Sequence, residues 1–240
     1  MTVPALISAR SAKRRSARRA VAATKAATAR RALLLLALLT LIAAGTVMGY
    51  FSVLDLVAIN RATEDDASRA LSTVLTANVV VLCAVPVAWF FLLRWLAASL
   101  RNAHALATPR PVVALAMINR EVLLAALPGL LIGQPSRLMA AHTKSLADAH
   151  LHTGASRLKA DDTSARWAGR LSLIVAPLWV FGLMSSGTYA QSVIWVPAAW
   201  VALSAVAILL RQAIAKIQLS EELQSALLTA EQVARARTAR

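Results

Sequence analysis

This 240-residue chain has almost no cysteine and few carboxylates for its many cations. A single cysteine, Cys83, leaves no intrachain disulfide and no multi-cysteine metal site. Its position inside an apolar run is that of a small apolar side chain packed in a membrane span. Eleven acidic residues stand against 26 lysines and arginines, and none of the eleven precedes Asp55. There is no phosphate-binding glycine loop and no Gly-x-Ser-x-Gly elbow. The long apolar runs hold no carboxylate, histidine or lysine, the groups that mark proton relays, ion sites and embedded hydrolases. His142, His150, His152 and Asp148 lie in a polar stretch, but their spacing matches no common zinc pattern. These absences argue against an enzyme, a cofactor and a bound metal, and no residue stands out as catalytic.

What is present is apolar sequence in long runs: 58% of residues are hydrophobic and the mean hydropathy is +0.62. About 20 helical residues cross a hydrocarbon core of roughly 30 Å. Runs of that order are predicted as spans at 32–54, 71–93, 171–188 and 192–210. The predicted fold class is an all-α polytopic membrane protein of two transmembrane helical hairpins, with an interfacial amphipathic segment between them on the cytoplasmic side. In a soluble protein a net charge of +15 would suggest nucleic acid. Here the cations flank and separate the runs, so they set orientation, and anionic lipid headgroups rather than nucleic acid are the expected partner.

Orientation follows from counting. With four spans, 24 of the 26 basic residues fall on one side, leaving only Arg61 and Arg69 on the other. The stretch from Val112 to Gly133 is apolar enough to compete as a fifth span. It carries Asn119, Arg120 and Glu121 near its middle, however, and Pro128-Gly129 breaks its second half. A charge at the bilayer centre costs about 2.5–3.5 kcal/mol on the gentlest scale, and a fifth span would move eleven cations outside. Four spans satisfy the positive-inside rule, with both termini cytoplasmic and the protein in a bacterial plasma membrane. Residues 112–133 are then a broken segment lying at the interface or dipping into it.

The predicted organisation is a basic tail at 1–31, a membrane domain at 32–210 whose 94–170 segment is cytoplasmic and interfacial, and an amphipathic helix at 211–240. The tail has nine cations, no acid and little apolar bulk after Ile7, so any attraction to anionic headgroups is electrostatic. Setting the insertion direction is explanation enough for these charges. Its Arg/Ser/Ala composition is compatible with a transit peptide, and Arg30-Arg31 before Leu33 faintly resembles a twin-arginine signal. The apolar run continues to Leu54, which favours a retained signal anchor. In the first span Gly45 and Gly49 share one helical face, a spacing that admits a close neighbour, within the chain in preference to a second copy. Trp167 stands where the third span begins, as an interfacial anchor. Ile214, Ile217, Leu219, Leu223 and Leu227 are read as one apolar stripe facing membrane or partner.

Trp95, Arg101 and Asn102 form the most suggestive polar group. A helix exit offering a ring, a cation and an amide could contact a lipid phosphate, or it could cap the interfacial segment. Arg120 and Arg137 are further interfacial candidates. Glu121 is the expected carboxylate partner of Arg120 or Arg101.

These residues also carry a resemblance. Trp95 and Asn102, seven apart after the second span with Arg101 before the asparagine and Leu106 after it, match a family of actinobacterial four-span membrane proteins of unknown function. Pro128 and Pro135, followed by Arg137 and Met139, are similar to that family's spaced proline pair and its proline, arginine, methionine run. Arg211 to Gln218 resembles its closing basic helix. The aromatics such families carry between Val112 and Pro135 are absent, with Leu127 and Gly129 to Gln134 in their place. The resemblance implies the fold and brings no activity with it.

The expected role is a non-enzymatic interaction or scaffold module, with anionic lipid and a membrane protein as partners and no oligomeric state implied. The alternative is a subunit of a small transporter or channel, with a path lined by Ser72, Thr73, Thr76, Asn78 and the tryptophan-rich second hairpin. A membrane enzyme would need the His142 to Asp162 stretch to fold over the bundle, and is the least favoured.

Overall fold

The computed structural model describes residues 3–106, 120, 122, 136–140, 163–184 and 189–238. Four long helices account for most of them: α1 (Val3–Ala58), α2 (Glu64–Leu106), α3 (Thr163–Met184) and α4 (Tyr189–Thr238). Three of them, α1, α2 and α4, are long and apolar enough to cross a membrane, with mean hydropathies of 2.3, 2.2 and 1.8 over their best stretches. The chain is all-helical with three candidate membrane-spanning helices.

Length is the first surprise. α1 has 56 residues, α2 has 43 and α4 has 50, which at 1.5 Å per residue is roughly 84, 65 and 75 Å. Hydropathy marks only part of each, the C-terminal half of α1, the middle of α2 and the N-terminal part of α4, because a helix does not end where the apolar sequence ends. The 1–31 stretch expected as a tail is helical from Val3 and runs into the apolar part without a break. The expected C-terminal helix likewise continues directly from the 192–210 span, as one rod.

Where a helix does stop, local chemistry stops it. Asn60 follows α1 with φ 55°, the left-handed conformation that asparagine and glycine tolerate best. The Arg61 N–H donates to the Leu56 carbonyl at 2.8 Å and the Asn60 N–H to the Val57 carbonyl at 3.0 Å. These are the paired bonds of a Schellman ending. Three residues later Thr63 and Asp66 cap α2 reciprocally: the Thr63 N–H donates to Asp66 Oδ2 at 3.0 Å, and the Asp66 N–H to Thr63 Oγ1 at 3.3 Å. Asp66 here occupies the position usually held by Glu or Gln in a capping box. The Thr63 hydroxyl donates to the same carboxylate at 2.7 Å. That bond and the backbone bond hold the Asp66 carboxyl below its usual value. The cap is therefore intact at neutral pH and is lost as the pH falls through the lowered value.

α1 packs against both α2 and α4, and α4 packs against α3. The face of α1 that does this is made largely of small side chains. Ala22, Ala26, Ala29, Ala37, Ala43 and Ala44 are buried, as are Ala199, Ala207 and Ala213 on α4. Lipid gives helices no hydrophobic reason to associate, so close packing of small residues and interhelical hydrogen bonds must hold them. The Ser204 hydroxyl of α4 donates to the Ala37 carbonyl of α1 at 3.1 Å. That carbonyl also accepts from the fully buried Thr40 hydroxyl at 2.9 Å. Interhelical bonds of this kind are worth about 0.6 kcal/mol on average. Outside the seam, Leu35, Leu38, Ile42, Met48, Leu75, Val79, Leu82, Phe90, Ile194 and Val201 are all exposed. An apolar belt of this extent is a liability in water and an asset in lipid.

Several expectations shift. Cys83 is exposed in this belt rather than packed inside the bundle. Gly45 and Gly49 are exposed too, and a Cβ built on either meets nothing within 4 Å. No helix of the chain approaches that face among the described residues. The stripe expected on the last helix divides: Ile214 and Ile217 are buried, while Leu219 and Leu223 are exposed. The helical period of 3.6 explains this, since 219 and 223 fall on the side opposite 214 and 217. α3 begins at Thr163, and Trp167, half-exposed, lies under the Arg170 guanidinium at 5.3 Å. Residues 185–188 of the expected turn, and all of 112–133 except Arg120 and Val122, lie outside the described residues.

Asn60→Gly should leave the end of α1 intact. Asn60→Val, which forces a β-branched residue into the left-handed region, should cost about 1–2 kcal/mol. Hydrogen exchange of the amides in the last turn of α1 reads both effects.

Candidate functional site

Beyond the apolar part of α2, small polar residues share the buried face with apolar ones. Leu92, Trp95, Leu96, Ser99 and Asn102 are spaced three and four apart and are all buried. Leucine and tryptophan pack there as core. Ser99 and Asn102, at 0% and 4% exposure, must find partners or suffer desolvation. Glu221 of α4 supplies one for both. The Ser99 hydroxyl donates to its Oε1 at 2.6 Å, and the Asn102 side-chain amide donates to its Oε2 at 3.1 Å. Each carboxylate oxygen thus binds a different residue of α2. Glu221 lies seven residues after Ile214 and four after Ile217, so one face of α4 carries both the apolar contact and the charge.

Thr24, Lys25 and Thr28 of α1 line a cavity of about 250 Å³ together with Phe91 and Arg94 of α2. Lys25 and Phe91 are half-buried, and Thr24, Thr28 and Arg94 are exposed. The threonine hydroxyls are turned to their own helix: Thr24 donates to the Ala20 and Val21 carbonyls at 3.2 and 3.0 Å, and Thr28 to the Thr24 carbonyl at 3.0 Å. The polar character the cavity offers a ligand is therefore chiefly its two cations. α1 has no acid before Asp55, and α2 has none after Asp66.

The other candidate residues are dispersed. Trp95 is 1% exposed, which closes its ring to any lipid, and it serves as a core residue. Arg101 is exposed and makes its own contact, while its neighbour Asn102 turns inward to Glu221. Arg120 and Arg137 are exposed. Met139, two residues after Arg137, is fully buried, and Ser136 abuts Gly169 of α3 so closely that a Cβ there would collide with the serine hydroxyl. The short helical piece 136–140 is thereby fixed against α3. Ser72, Thr73 and Thr76 are exposed and return their hydroxyls to carbonyls one turn back. Asn78 is half-buried, and its Oδ1 has no hydrogen-bond partner among the described residues. Glu121, Pro128, Pro135 and the His142, Asp148, His150 and His152 group lie outside the described residues. No cluster of three potential metal ligands occurs among the described residues.

Sequence reading singled out Asn102 but missed Glu221, which is 119 residues away from it. The available signal was that, of the adjacent pair Glu221 and Glu222, Glu221 stands at helical spacing from Ile214 and Ile217, on the face that would otherwise be apolar. Comparison with known proteins finds no matching family model, no similar curated protein and no similar solved structure.

Glu221→Ala leaves two buried donors on α2 without their acceptor and should cost about 1.5–3 kcal/mol, the range for hydrogen bonds to a charged group. Asn102→Ala should cost less in the Glu221→Ala background than alone. Thermal unfolding of the purified protein in detergent, arranged as a double-mutant cycle, measures that coupling.

Proposed function

We propose that this chain is a non-enzymatic interaction or scaffold module of a bacterial plasma membrane, with four spans and both termini in the cytoplasm. On this reading α3 is also a span, the third of the four in chain order. Its apolar part from Leu171 is short for a hydrocarbon core of about 30 Å, and Trp167 with Arg170 anchors its start at the headgroups. The charge count supports the orientation, since four spans leave only Arg61 and Arg69 outside. Similarity of Trp95, Arg101, Asn102, Pro128 and Pro135 to an actinobacterial four-span family of unknown function agrees with the same layout.

One observation carries the reading. Three helices are more than twice as long as a hydrocarbon core requires, and beyond the apolar run of α2 Glu221 ties α4 to α2. A transport protein concentrates its polar groups between the spans, at the midplane. This chain invests its interhelical carboxylate where the apolar sequence has already stopped. Such an arrangement builds a rigid basic platform on the cytoplasmic face, suited to anionic lipid and to another membrane protein.

Affinity purification from native membranes, with residues 1–21 present or removed, tests the role. Partners that depend on those residues, at unchanged insertion of the truncated chain, are the expected result. A purified oligomer enclosing a water-filled path through Ser72, Thr76 and Asn78 would replace the scaffold with a channel subunit.

A further inference from the structure

We infer that the cavity between Thr24, Lys25, Thr28, Phe91 and Arg94 is a binding site for the phosphate of an anionic phospholipid in the cytoplasmic leaflet. The inference rests on the proposed orientation and adds a defined ligand site to it.

Depth is the first argument. The interfacial layer on each side of a bilayer is about 5–8 Å thick. Thr28 precedes Leu33, where the buried apolar stretch of α1 starts, by five residues, or roughly 7.5 Å of helix. Phe91 lies in the last apolar turn of α2, and Arg94 is three residues beyond it. The cavity therefore opens at headgroup level, with the phenyl ring toward the hydrocarbon and the two cations toward water. Exposed Leu34, Leu35, Val87 and Phe90 continue the same two helices into the apolar belt, giving the acyl chains a surface to follow.

Charge is the second. No carboxylate pairs with Lys25 or Arg94 among the described residues, and neither cation makes any other polar contact there. Of the two adjacent acids that α4 carries here, Glu221 is engaged by Ser99 and Asn102, and Glu222 makes a contact of its own. Two cations held on different helices around one cavity, with no acid of their own, are complementary to a single anion between them. Arginine supplies a planar fork for phosphate oxygens and lysine a point charge. Because both threonine hydroxyls are bonded into the helix, selectivity rests on net charge. A phosphatidylglycerol headgroup fits that requirement, and a zwitterionic phosphatidylcholine headgroup does not.

Native mass spectrometry of the full-length protein in neutral detergent, titrated with phosphatidylglycerol, phosphatidylcholine or inorganic phosphate, tests the site. The wild type should retain one phosphatidylglycerol in preference to phosphatidylcholine. Removing both cations in Lys25→Gln/Arg94→Gln should weaken it roughly 30-fold, while Arg61→Gln/Arg69→Gln, at the other end of α1 and α2, should not. Undiminished binding by Lys25→Gln/Arg94→Gln, equal retention of phosphatidylcholine, or displacement of the lipid by an equimolar amount of inorganic phosphate would overturn the assignment. Labelling of a thiol placed at position 60 from outside the cell, carried out on the same variant, separates a failed site from a failed topology.

Discussion

A hydrocarbon core takes up about 20 residues of helix, and three helices of this chain contain more than twice that number. The mismatch governs everything else. Whatever lies beyond the lipid must satisfy itself in water, and a single helix made mostly of alanine, serine and arginine has little to bury. α1 solves this by keeping one alanine face in register from the membrane outward, so that Ala22, Ala26 and Ala29 pack as Ala37 and Ala44 do. One continuous seam serves two solvents.

The seam changes its chemistry along its length. In the apolar region Ser204 reaches a backbone carbonyl of α1, a contact that only small residues allow. Toward the basic end Glu221 takes over, joining α4 to α2 with both carboxylate oxygens used. A buried carboxylate would be expensive among lipid tails. Near water, and half-exposed, it can hold two donors at modest cost. On the proposed orientation, the position of the acid along α4 matches the solvent that part of the bundle would meet.

Much of this was legible in the sequence, and the parts that were not have physical reasons. Apolar runs reveal which helices can meet lipid, because hydropathy reports transfer free energy. They do not reveal where a helix ends, because alanine and arginine are as helix-permissive in water as leucine is in lipid. That is why the apolar pattern alone did not show that the basic 1–31 stretch continues the helix of the first apolar run. Asn60, Thr63 and Asp66 close the turn after α1 by local bonds, which hydropathy does not report. Asn102 was identified as polar at a helix exit, but its partner belonged to a different helix, and nothing in a single sequence links positions 102 and 221. Gly45 and Gly49 have the spacing of a packing face. Spacing alone does not say whether a neighbour comes, and among the described residues none does.

The central claim is that lipid surrounds only the C-terminal half of α1 while its basic N-terminal half stands in the cytoplasm. Single cysteines along α1 and the following turn, in a Cys83→Ala background, can be challenged with a thiol reagent that does not enter cells, before and after lysis. The account predicts labelling at position 60 in intact cells, labelling at position 20 only after lysis, and none in either state at 35, 38 and 42. Labelling at position 20 in intact cells, with position 60 protected, would contradict it.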